Sequence, residues 1–75
     1  MPAILARTDK SRVYHKGSRY LVSQVRNGHL CRVVVDEATA LTIVAAPNEN
    51  LDMLVDDLLN LAKGYGSADY FKVKL

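Results

Sequence analysis

The chain predicts a single α+β domain over residues 1–75: an antiparallel β-meander of three to five strands with one amphipathic helix packed on one face, in the order β-β-β-α-β. Three observations carry that reading. Two runs rich in β-branched and aromatic residues, RYLVSQVR and HLCRVVVD, flank Asn27-Gly28. From Asn50 the apolar spacing changes to that of a helix, and the tail DYFKVKL alternates apolar with polar.

Taken in order, the opening PAILAR is a strand candidate. RVYH can fold back through Lys16 and Gly17, which sets Tyr14 opposite Arg19 and Val13 opposite Tyr20. The Asn27-Gly28 pair is a strong hairpin signal, because a type I′ turn needs positive φ at both central residues. A two-residue loop then sets the register, with Gln24 facing Cys31, Val22 facing Val33, Tyr20 facing Val35 and Arg19 facing Asp36. The last pair is oppositely charged, which favours this register. EATA reads as a short connection, and LTIVAA as a further strand ending at Pro47.

In the helix, Leu51, Leu54, Val55, Leu58, Leu61 and Ala62 form one stripe, with Asp52, Asp56, Asn60 and Lys63 opposite. Asn48 or Asn50 suits the N-cap, Asp52 the first turn, and Gly64 the position just past the end. In the tail, Phe71, Val73 and Leu75 share one face while Tyr70, Lys72 and Lys74 share the other. It reads as an edge strand, whose lysines discourage pairing with another chain.

The hairpin register sorts the sheet into two faces. Val13, Tyr20, Val22, Cys31, Val33 and Val35 form an apolar face, with His15, Gln24, Arg26 and His29 towards its ends; the helix should pack there. The other carries Arg12, Tyr14, Arg19, Ser23, Arg32 and Asp36 among Leu21, Val25, Leu30 and Val34. One helix cannot cover both faces, so the second meets either water or another molecule.

A chain of 75 residues supports a core just large enough to fold alone, and 49% hydrophobic with 24% charged residues excludes a disordered chain. MPAILAR is too short an apolar run for a signal peptide, and no later run approaches a membrane span. Cys31 is the single cysteine and has no internal disulfide partner, so a reducing, cytoplasmic location is expected. The net charge is only +2 but is unevenly spread. Arg7, Lys10, Arg12, Lys16, Arg19, Arg26 and Arg32 stand against Asp9 alone in residues 1–35, whereas seven of the eight acidic residues follow. Such asymmetry steers a charged partner.

No residue pattern specifies catalysis, so the chain is expected not to be an enzyme, and no cofactor or metal is implied. His15 and His29 lie far apart along the strands, and two ligands are too few for a closed zinc site. Cys31 belongs to the face that the helix should bury, which makes it a packing residue. GYGSA lacks the strand and helix that frame a phosphate-binding loop. In element order alone, three strands followed by a helix is similar to the small sheet-and-helix DNA-binding domains of integrases; no residue motif joins them.

The expected function is therefore that of a small regulator, an inhibitor or adaptor, docking a protein through Arg12, Tyr14, Arg19, Leu21, Arg32 and Val34. Asp52, Met53, Asp56 and Asp57 form a secondary acidic face that could meet a basic partner. Two alternatives use the same sheet: nucleic-acid binding through the basic residues with Tyr14 as a stacking platform, and homodimerisation sheet on sheet. No membrane partner is expected.

Overall fold

The computed structural model describes residues 3–75. Five strands form one antiparallel sheet in sequential order: β1 (Ala3–Arg7), β2 (Ser11–Lys16), β3 (Arg19–Arg26), β4 (His29–Val35) and β5 (Tyr70–Lys74). Between β4 and β5 the chain forms α1 (Glu37–Ala45), a 3₁₀ turn (Asn48–Asn50) and α2 (Leu51–Gly64). The α+β class and the strand at residues 3–7 agree with the sequence reading; Pro2, the first residue after Met1, lies outside the described residues. Four strands precede two helices, which departs from the integrase-like order. Among the described residues, no helix is long and apolar enough to cross a membrane.

The β3–β4 hairpin has the expected register throughout, from Arg26 opposite His29 to Tyr20 opposite Val35. Asn27 and Gly28 adopt φ of 50° and 75°, as a type I′ turn requires. The β2–β3 hairpin differs from expectation. Its two-residue loop is Gly17-Ser18, with Gly17 at φ 62°, so Tyr14 faces Leu21 and Val13 faces Val22. Moving the turn by one residue moves each partner by two. Every side chain thus keeps its expected face, because side chains alternate with a period of two.

The largest correction concerns EATALTIVAA, expected as a connection and a strand. It forms α1. Asp36, expected to pair with Arg19, instead accepts a hydrogen bond from the Thr39 backbone N–H at 2.8 Å and caps this helix. Arg19 faces Lys16. The segment has no place in the sheet, since the outer edge of β4 is taken by β5, with Leu30 opposite Val73 and Arg32 opposite Phe71. Two of its apolar residues, Ala40 and Ile43, three apart on one helix side, are buried over the sheet instead. Pro47 follows the helix end.

Both helices cover one face. Val13, Val22, Cys31 and Val33 from the sheet meet Ala40 and Ile43 from α1 and Leu51, Val55 and Leu59 from α2. Fully burying an aliphatic side chain of this size stabilises by roughly 1.5–3 kcal/mol. The expected stripe of α2 is rotated. Leu59 is fully buried although it lay outside that stripe, and Leu61, inside it, is 56% exposed. Helix α1 lies beside α2, and Leu54, Leu58 and Leu61 line the groove between the two helices.

Asn50 takes the cap position of α2 without a side-chain cap bond. Helix α2 includes Gly64, and the stop comes at Gly66. There φ is 64°, Gly66 N–H donates to Lys63 O at 3.2 Å, and Ser67 N–H donates to Ala62 O at 3.0 Å. These paired bonds are a Schellman cap, whose left-handed residue is glycine for steric reasons.

Candidate functional site

Among the described residues, no helix or strand covers the side of the sheet opposite α1 and α2. Cross-strand register arranges it in rows that run across the strands. One row reads Arg7, Arg12, Ser23, Arg32 and Phe71, from β1 to β5. A second, one step along the strands, is apolar: Val25, Leu30 and Val73. On the other side of the arginine row lie Ile4, Tyr14, Leu21 and Val34, and beyond them Lys16 and Arg19.

Of the residues expected to meet a partner, Arg12 and Arg19 are exposed, and Tyr14, Arg32 and Val34 are half-buried on this open face. Leu21 is on the same face but only 7% exposed, so it forms floor and offers little contact area. Arg7, Phe71 and Val73 join them. Arg7 was hidden by the irregular register between Ile4 and Ala6, which no residue pattern in PAILAR signals. Phe71 and Val73 had a common face in the sequence; which face of the sheet it would extend was not legible. Phe71 is 49% and Val73 52% exposed, and the Arg32 guanidinium sits 5.3 Å from the Phe71 ring centroid. That cation–π contact holds the cation in place while leaving its N–H groups available.

Charge is sharply segregated. Arg7, Arg12, Lys16, Arg19 and Arg32 lie on the open face, and no strand position there bears a carboxylate. Among the described residues the only ion pair is Arg26 with Asp56, 2.9 Å apart on the helix side. Residues 37–64 bear Glu37, Glu49, Asp52, Asp56 and Asp57 against Lys63. Two depressions open on the sheet face. The larger, about 500 Å³, is lined by Arg19, Arg32 and Phe71 among others; the other, about 360 Å³, is lined by Lys10, Arg12, Lys16 and Tyr14, with Asp9 as its one acidic side chain.

The secondary acidic set divides. Asp52 accepts hydrogen bonds from the Thr8 and Ser11 hydroxyls, the latter at 2.6 Å. Gln24 Nε2 donates to Ser11 Oγ and to the Asp52 backbone carbonyl, each at 3.0 Å. Ser11 and Gln24 are buried, so this network ties the start of α2 to the sheet with its polar groups satisfied. The hydroxyl of Ser11, then that of Thr8, holds the Asp52 carboxyl below its usual pKa. Asp56 is engaged by Arg26. Met53 and Asp57 remain exposed, and Asp57 borders a groove between the helices lined by Ile43, Leu54, Leu58 and Leu61.

Cys31 is buried in the core against which Tyr70 packs, and this neighbouring thiol, together with burial, raises the Tyr70 phenol above its ordinary pKa. His15 stacks on Tyr20 with ring centroids 4.3 Å apart, opposite it in register, while His29 lies opposite Arg26 at the far end of β3. Among the described residues no three His, Cys, Asp or Glu side chains come together to hold a metal ion. No protein-family model, curated protein or solved structure matches the chain.

Proposed function

We propose that this chain is a small non-catalytic binding protein, an inhibitor or adaptor, that docks an acidic protein partner through the open face of its sheet. The observation that supports this best is the juxtaposition of five cations lacking carboxylate partners among the described residues with a contiguous apolar row, Val25, Leu30 and Val73. Protein interfaces combine a desolvated apolar centre with a polar rim and are enriched in Arg and aromatic residues. Sheet-on-sheet pairing of two copies is disfavoured, since it would bring the same basic rows together.

Paired affinity capture from the native host tests the proposal, comparing wild-type bait with Arg12→Glu/Arg32→Glu bait after nuclease treatment. A protein should be retained by the first and lost from the second, and retained again by an Asp57→Lys bait altered on the helix side. Identical captured sets from the first two baits would end this reading. Tyr14 and Phe71 favour a second reading, single-stranded nucleic acid stacked on the aromatic rings. It requires retention in a low-salt mobility shift that falls steeply as salt is raised.

A further inference from the structure

The row geometry of the open face carries information about the shape of the partner, granted the docking reading above. Neighbouring strands lie about 4.8 Å apart, so Arg7, Arg12, Ser23 and Arg32 mark successive steps of that size along a line crossing the strands. An α-helix rises about 1.5 Å per residue, and side chains of one stripe recur on average every 3.5 residues, or about 5.25 Å. The two repeats differ by about 0.5 Å per step, a mismatch that long arginine side chains absorb over three steps. An extended peptide presents same-face side chains every 6.6 Å or so, about 2 Å too far per step, and loses register after the second strand.

The apolar row of Val25, Leu30 and Val73 runs parallel to the arginine row two residues away, about 7 Å. A helix with its side chains is about 10–12 Å across and covers both rows at once. We infer that the partner contributes an acidic amphipathic helix lying across the strands, with carboxylates at i, i+4 and i+11 over Arg7, Arg12 and Arg32 and an adjacent aliphatic stripe over Val25, Leu30 and Val73. Position i+7 falls at Ser23, whose small side chain leaves room between the two flanking arginines. Arginine forks receive carboxylates in a bidentate manner, and the Phe71 ring holds the guanidinium of Arg32 in place.

The test uses the full chain and three labelled probes, read by fluorescence anisotropy. The first is an alanine- and glutamine-based helical peptide with Glu at i, i+4 and i+11 and Leu at i+8, i+12 and i+15, one residue after the positions over β3, β4 and β5; the second has the same composition with these residues shuffled off the stripes. The third is oligothymidylate. The striped peptide should bind, and Arg12→Glu/Arg32→Glu should weaken it by about tenfold or more. Val73→Asp gives an independent loss on the apolar row, Asp57→Lys should leave binding unchanged, and circular dichroism checks that each variant is folded. Equal binding of the shuffled peptide overturns the helix but leaves acidic docking standing. Failure of the striped peptide, while the paired baits still differ in what they capture, overturns the helix alone. Binding of oligothymidylate with neither peptide bound overturns both.

Discussion

The two faces of this sheet are made from the same five strands and alternate residue by residue, yet they obey different rules. On the helix side Val13, Val22, Cys31 and Val33 are sealed under α1 and α2, and the buried polar groups Ser11 and Gln24 are hydrogen-bonded. On the open side arginines stand opposite arginines, as Arg7 does to Arg12, and Val73 and Phe71 are about half exposed. Like charges directly opposed across strands cost stability. The helix side thus has the features of a surface selected for folding. The open side keeps charge and apolar area that the fold leaves exposed, which is why binding is proposed there.

The sharpest way to break the comparison is to truncate one aliphatic on each side. Leu59→Ala should lower stability by about 2–5 kcal/mol in urea unfolding, whereas Val73→Ala should change it by no more than about 0.5 kcal/mol. Equal losses would mean that the open face is already covered in the isolated protein. Next in size is the polar network. Asp52→Ala removes the acceptor of Ser11 and should cost about 1–3 kcal/mol by the same measurement.

The same carboxylate sets an acid limb. Its folded pKa is lowered, so its stabilisation is present in full above the ordinary carboxylate range and is lost as pH falls through the lowered value. Thermal melts should therefore drop below about pH 4, and Asp52→Asn should flatten that limb. Smaller still is the Arg26–Asp56 pair, half open to water, for which Arg26→Ala should cost about 0.2–1 kcal/mol and less at high salt. The smallest stability effect belongs to Arg12→Glu/Arg32→Glu, expected within about 0.5 kcal/mol of wild type by denaturation. If that double variant instead unfolds, the arginine row serves the fold and the contrast between the faces disappears.

Much of this site was legible before the fold. Asn27-Gly28 alone sets the β3–β4 register, and with it the sharing of one face by Arg19, Leu21, Arg32 and Val34. Tyr14 and Arg12 kept their face even though the β2–β3 turn sits one residue further on, because a shift of the turn preserves parity. LTIVAA was misread because a short apolar run of β-branched residues has no period that separates a buried strand from a buried helix. Leu59 and Leu61 exchanged roles for a related reason: the stripe of a helix follows its neighbours, and α1 was not foreseen as one.

The sequence by itself determined the element types with strong local signatures, namely the Asn-Gly hairpin, the helix from Leu51 and the alternating tail, together with the charge asymmetry between the two halves of the chain. These depend on neighbours within a few residues. Only the tertiary structure decided that β5 takes the edge of β4, and two results follow from that one placement. It leaves residues 37–45 no strand to pair with and sends them into the helix layer. It also sets Phe71 beside Arg32 and Val73 beside Leu30, extending both rows of the open face. Pairing between residues about forty apart is a competition among long-range alternatives, and no local propensity can rank them.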